Sequence, residues 1–291
     1  MVDVLFLSAK AKSNLASSVV RAKQLSAMYA QMRPDLNVAY REARWGLPQV
    51  ALGRTTIINK TYMTSFPAST LPRKTNRHRY ILDPVDAKIR EDYIPIVDGI
   101  VTTNLTSVSL NEQSYPGKEI FYVPLHANLQ VPAHRAQQET FKAAYFGNFF
   151  NCRFLPEVSS ACGVEAISTP TNRNVGSWAE RLREFSAHVS FRENKDWDGT
   201  KPFTKGIFAA LTGAIYIGDP VSEARYLLGE DYPYFVASSN VESAIAAVEK
   251  AKDTFGSSLW REAKNRMASV ALESSVHKVL AQLNSMIINW R

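Results

Sequence analysis

The chain has 291 residues, 45% of them apolar and 21% charged, which is ordinary globular usage and enough for one large or two average domains with a full core. That excludes a disordered tail, a fibrous repeat and a disulfide mini-protein. Only Cys152 and Cys162 occur, so the reducing cytoplasm is the expected compartment. No run of about 18 apolar residues predicts a membrane span. With 34 Lys+Arg against 27 Asp+Glu, the formal charge of +7 suits an anionic partner (a nucleotide, a phospholipid surface or a nucleic acid) and equally a solubilising surface.

The elements alternate in chain order. Residues 2–8, with an acid and no basic flank, read as a buried first strand rather than a leader. Residues 15–31 follow with apolar positions Leu15, Val19, Ala22, Leu25, Met28 and Tyr29, a helical stripe that Ser13 or Asn14 can cap and Pro34 stops. Strands are predicted at 36–40, 55–59, 79–82, 96–102 and 119–123, with helices at 85–92 and 105–113. This is a β-α-β series, hence a mostly parallel sheet covered on both faces. The densest basic stretch, residues 73–79, has no interleaved aromatics, which argues against a dedicated nucleic-acid binder.

A segment without period follows, holding Pro124, His126, Asn128, Pro132 and His134, and reads as a linker. A second series then runs through strands at 143–146, 164–168, 188–191, 214–218 and 234–236. Its helices fall at 203–212, 221–228 and 241–251, and residues 259–290 are helical to the end. The expectation is an α/β chain of two Rossmann-like domains facing a cleft. Residues 1–130 form the first, 131–275 the second, and 276–291 a helix that returns to the first.

The stretch 201–219 carries the most chemistry. Pro202 suits a first helical turn, so Thr204 and Lys205 fall where free backbone N–H groups and the helix dipole favour an anion. Lys205 has the wrong sign for that position on stability alone, and an anion between the two would explain it; an ordinary helix-loop-strand unit is the plain alternative. The strand after Gly213 delivers Gly218 and Asp219 to its carboxyl end. Arg192 ends another strand and can grip a diphosphate bidentately, or pair with Glu193 or Asp196. Gly147, Asn148 and Arg153 follow the first strand of the second domain and can reach the same phosphates, or only tie their own loop.

This stretch resembles the donor segment of GT-B-fold glycosyltransferases, many of which carry Pro-Thr-Lys, an acid, a small residue, Gly and an apolar strand. Thr204-Lys205, Ala209, Gly213 and the strand to Ile217 match without a gap. Tyr145–Asn148 is similar to that family's strand-and-glycine opening, and Ile81–Asp86 to an Asp-x-x-Asp segment in its first domain. The resemblance implies a hexosyltransferase-like enzyme using a nucleotide-sugar such as a UDP-sugar as co-substrate. It implies no other cofactor and no metal. The acceptor would be a saccharide or a lipid-linked hydroxyl, with peripheral membrane contact. DNA is the alternative acceptor, favoured by the basic balance, and a non-catalytic binding module is a third reading.

One departure stands out. The family's ribose-binding glutamate falls at Phe208, so Asp219 or Glu223 would have to replace it. The first loop, Ser8–Asn14, is basic where relatives carry glycines; phosphate contact and a solvated turn are equally open. For a base, Asp83 and Asp86 follow a first-domain strand, although Asp83 can instead cap the helix at 85–92, and His126 is the second choice. No zinc spacing, P-loop or dinucleotide fingerprint occurs. Asp196-Trp197-Asp198 has the spelling of a metal motif but reads as a polar loop.

Overall fold

The computed structural model describes residues 2–45, 53–131, 139–169, 177–192 and 201–289. The loop 193–200, with Glu193 and the Asp196–Asp198 triplet, lies outside the described residues, as do Pro132 and His134 of the expected linker. In chain order the elements are β1 (Val2–Ala9), α1 (Ala16–Ser18), a π-helical turn (Val19–Gln24), α2 (Leu25–Met32), β2 (Val38–Ala43), β3 (Gly53–Asn59), α3 (Lys60–Met63), β4 (Arg79–Asp83), β5 (Gly99–Thr102), α4 (Thr106–Ser114) and β6 (Glu119–Tyr122). They continue as β7 (Ala143–Gly147), α5 (Leu155–Cys162), β8 (Glu165–Ser168), α6 (Ser177–Arg181), β9 (Ala187–Ser190), α7 (Thr204–Thr212), β10 (Ile215–Gly218), α8 (Ser222–Leu228), α9 (Val241–Asp253), α10 (Ser258–Glu273) and α11 (Val276–Asn289).

The chain divides into two compact units. The first comprises Met1–Asn128, Thr200–Pro202 and Val276–Arg291; the second comprises Leu129–Gly199 and Phe203–Ser275. The first unit is built on an all-parallel sheet in the order β2-β1-β3-β4-β5-β6. Strand alternation splits its apolar runs between two cores. Val4, Phe6, Ile57, Ile81 and Val101 face one, while Leu7, Ile58, Leu82 and Ile100 face the other. Helices cover both faces, which is why the strands read as continuous apolar stretches. The last helix belongs to this unit. Val279, Leu280, Leu283 and Met286 of α11 lie on one helical stripe and join Val4, Phe6, Leu25 and Tyr29 in one core. The Tyr29 hydroxyl donates to Asn284 Oδ1 at 3.1 Å.

Three expectations change in detail. Residues 16–32 are helical, but Val19–Gln24 forms a π turn, so the stripe slips by one residue and Val20 is buried where Val19 was expected. The helix expected at 85–92 does not form. Pro84 to Ala87 make a turn with Val85 at φ 59, a strained setting for a β-branched residue, and only Glu91–Tyr93 coil into one 3-10 turn. The strand expected at 234–236 shrinks to a single bridge between Gly218 and Phe235.

The second unit holds a parallel sheet in the order β10-β9-β7-β8. Ala144, Phe146, Ile167, Leu182 and Phe185 form a core over it, with Trp178, Phe208 and Leu211 packed against them.

Candidate functional site

In the second unit the carboxyl ends of β7, β9 and β10 lie side by side, the position where open parallel sheets hold ligands. Gly218 is required there by close approach: a Cβ would stand 2.3 Å from the Ser190 carbonyl oxygen. The chain can therefore turn directly into Asp219. That carboxylate is the organiser of the rim. Its Oδ1 accepts from Arg153 Nη2 at 2.9 Å and its Oδ2 from the Arg192 backbone N–H at 2.5 Å. Arg153 also donates through Nη1 to Ser239 Oγ, in the loop before α9. Its backbone N–H donates to the Phe191 carbonyl at 2.8 Å, and Cys152 bridges Arg192. Arg153 and Asp219 are only 14% and 13% exposed, so the pair is screened less than a surface ion pair. Beside them lies a cavity of about 190 Å³ bordered by Arg192, Asp219, Arg225, Ser238 and Ser239.

Lys205 stands in the first turn of α7. Its ammonium lies 3.7 Å from the centroid of the Tyr145 ring, a cation–π contact. The Tyr145 hydroxyl donates to the Asn148 carbonyl at 2.8 Å, and burial holds its proton well above the usual phenol range. Lys205, Asp219 and Arg153 all act electrostatically on the Cys152 thiol, which burial pushes up. Asn148 uses its side-chain oxygen to accept from the Phe150 N–H at 3.1 Å, capping a short 3-10 turn. The start of α7 has no acid in its first turn and no side-chain cap. Gly206 follows because the Phe203 ring lies against that turn, 2.0 Å from where a Cβ would be. Among the described residues Arg153, Arg192 and Lys205 thus lie with Asp219 at one rim. Such a field attracts a multiply charged anion.

Of the expected donor residues, Gly147, Asn148, Arg153, Arg192, Thr204, Lys205 and Asp219 come together at these strand and helix ends. Glu223 is buried in the first turn of α8, where its charge suits the helix dipole. Asp219 is taken up by Arg153 and the Arg192 backbone, which makes it a positioning group for the arginines. Phe208 packs edge-on against Trp178, 5.9 Å between centroids, so that position points to a core. Tyr145 and Ser239 escape a sequence reading. The only hints are that Tyr145 shares its strand face with Gly147 and that Ser238-Ser239-Asn240 precedes a helix as a polar cap.

The first-unit candidates are enclosed differently. Asp83, at the end of β4, forms a buried ion pair with Arg21 of the π turn, Nε to Oδ2 at 2.9 Å, both side chains 1% exposed. Arg21 Nη1 also donates to the carbonyls of Val123 and Pro124 at 3.1 and 2.9 Å. Burial pushes the Asp83 carboxyl up against the opposing pull of Arg21. With the expected helix absent, Asp83 caps nothing. Both ring nitrogens of His126 face carbonyl oxygens, Nε2 that of Val20 at 3.0 Å and Nδ1 that of Ala127 at 2.7 Å. Burial lowers its pKa. Both groups are only 1% exposed, so neither is open to an incoming hydroxyl. Asp86 is ion-paired with Lys60 and keeps 16% of its side-chain surface exposed. Among the described residues no three His, Cys, Asp or Glu side chains group as a metal site, and no helix is long and apolar enough to cross a membrane.

No model of a known protein family matches the chain, and no curated protein does. Solved structures do. HepE of Anabaena in complex with UDP is 9% identical, with a TM-score of 0.65 over 99% of this chain and 100% of that one. A glycosyltransferase of Rickettsia africae is 7% identical, with a TM-score of 0.62 over 99% and 98%. The T4 phage protein BGT, bound to UDP and Mn²⁺, is 10% identical, with a TM-score of 0.61 over 99% and 100%. The chain also matches the GtfA/B complex, but spans only 58% of that chain's length. At such identities the likeness establishes the fold, which is the GT-B arrangement of two Rossmann-like units.

Proposed function

We propose that the chain is a glycosyltransferase that takes a nucleoside-diphosphate sugar in its second unit and an acceptor hydroxyl in its first. The observation that supports this reading is the rim of Arg153, Arg192 and Lys205 ordered around Asp219, on a fold whose solved examples include proteins bound to UDP. As the sugar's anomeric carbon accepts the acceptor oxygen, its bond to the diphosphate oxygen breaks and negative charge grows on the leaving group. Fixed cations and the start of α7 stabilise that charge without having to reorganise. In this reading they replace a metal ion. For the base we take Asp86, because it alone of the three candidates is not buried. The acceptor is a saccharide or lipid-linked hydroxyl, with DNA the alternative that the +7 balance favours.

The second reading, a non-catalytic binding module of the same fold, rests on Phe208. An apolar residue packed on Trp178 stands where the resemblance calls for a ribose-binding acid. A thermal-shift panel of nucleoside diphosphates, run with and without EDTA, separates the readings. Stabilisation by UDP or GDP that survives chelation is the expected result. No stabilisation by any diphosphate overturns the donor site. Stabilisation lost in EDTA and restored by Mn²⁺ or Mg²⁺ overturns the metal-free reading.

A further inference from the structure

The turn that follows β7 holds two adjacent phenylalanines in water. Phe149 is 46% exposed and Phe150 87%, beyond the carboxyl end of the strand that supplies Tyr145 and Gly147 to the rim. This is not a loose loop. Asn148 Oδ1 accepts from the Phe150 N–H at 3.1 Å. The Asn148 carbonyl accepts from the Asn151 N–H at 2.9 Å and from the Tyr145 hydroxyl at 2.8 Å, and the Phe149 carbonyl from the Cys152 N–H at 3.1 Å. Arg153, next in the chain, is fixed by the Phe191 carbonyl and by Asp219. A backbone tied this firmly presents two apolar rings to solvent in advance of any partner, which forgoes burial but spares the partner the cost of ordering them.

The sheet order β10-β9-β7 shows what lies next to these rings. At the β10 and β9 ends is the cavity of about 190 Å³, with Val221 and Val236 in its wall and Ser238 and Ser239 at its border. Arg153 spans from the β7 turn to Asp219 after β10, and Lys205 stands over the Tyr145 ring of β7. At the β7 end come Phe149 and Phe150. A closed cavity, cations and an aromatic turn thus follow one another along one edge. A nucleoside-diphosphate sugar has the same succession: nucleoside, two phosphates, pyranose ring.

We propose that Phe149 and Phe150 are the platform for the pyranose ring of the donor, and that they select a hexopyranose with equatorial hydroxyls. Such a ring carries its axial hydrogens on its faces, so a continuous C–H surface can leave water against an aromatic ring while the hydroxyls at its edge stay hydrated. The proposal rests on the donor reading and assigns the sugar end of that same site.

Isothermal titration of the full chain with UDP and with UDP-glucose tests it. The double variant F149A/F150A should weaken UDP-glucose at least about fivefold and leave UDP within about twofold, since only the first ligand carries a ring to the platform. F150W, which keeps an aromatic face, should retain UDP-glucose affinity. Both phenylalanines are exposed, so the variants keep the fold, and their melting temperatures check that. If neither ligand binds the unaltered chain, the donor reading falls and the platform with it. If UDP binds and F149A/F150A leaves UDP-glucose unchanged, or weakens both ligands alike, the platform alone is overturned. Binding of UDP without UDP-glucose overturns the choice of sugar.

Discussion

In the first unit the carboxyl ends of β3 and β4 are polar but closed. Arg21 and Asp83 neutralise each other at 1% exposure, His126 faces two carbonyls, and Asn59 caps α3 by accepting from the Thr61 N–H at 3.0 Å. In the second unit the matching ends of β7, β9 and β10 gather Arg153, Arg192, Lys205 and Asp219, with the Arg153–Asp219 pair 14% and 13% exposed. Both sheets are parallel and both put polar residues at their carboxyl ends, so topology alone does not separate them. Exposure does. A pair sealed from water holds elements together, whereas charged groups that keep solvent access can meet a ligand.

The sharpest test of that contrast is Asp86, which unlike Asp83 and His126 is not sealed. Asp86→Asn is expected to lower turnover by about 10²–10⁴ with little change in melting temperature, as measured with a donor that the diphosphate panel identifies. Normal turnover would extend the closed character of the first unit to this residue too and leave the reaction without a base from these candidates.

Arg21→Met attacks the closed pair itself. It strands Asp83 and removes the donor to the Val123 and Pro124 carbonyls. Urea denaturation should show a loss of about 3–5 kcal/mol, the usual result of breaking a buried pair from one side. A loss under about 1 kcal/mol would mean that the pair is not what anchors the π turn.

His188 gives the second unit a pH limit of its own. Its ring is fully buried with Nε2 donating to the Leu182 carbonyl at 3.0 Å, and burial pushes its pKa down to about 4. An unfolded chain binds this proton near pH 6.5, so between those values the unfolded state holds more protons than the folded one. The stability is therefore complete above about pH 6.5 and falls as the pH drops toward 4, by about 3 kcal/mol in all. His188→Gln keeps a donor for Leu182 and should flatten that slope. An equally steep slope in the variant would assign the acid sensitivity elsewhere.

The smallest effect is expected at the open rim. Lys205→Ala should weaken nucleoside-diphosphate affinity by about tenfold or somewhat more, the scale of one charged hydrogen bond, and leave stability almost unchanged. An unaltered dissociation constant would remove Lys205 from the donor site and with it the reason for a cation at the start of α7.

Much of the second-unit rim is legible in the sequence because it depends on local order. A strand that ends in a glycine, a helix that starts just after a proline, and a lysine in its first turn are all read within a dozen residues. Ser239 is not legible, since it joins the rim from a loop 86 residues from Arg153, and the contact of Tyr145 with Lys205 is not legible because the two lie on different elements. The first-unit site fared differently. Asp83 reads as a cap or a base from its neighbours, yet its partner is 62 residues away in another element.

By itself, the sequence determined the α/β class, the parallel strands and the amphipathic last helix, because the period of apolar residues dictates which side of each element is buried. Only the tertiary structure decided which carboxylates are sealed and which remain open. It made the π turn that carries Arg21 inward, withdrew the helix expected after Pro84, and tied Asp219 to Arg153 and the Arg192 backbone. These outcomes depend on pairing across the chain. A charge buried on folding has to find its partner among groups that only the folded arrangement brings within about 3 Å.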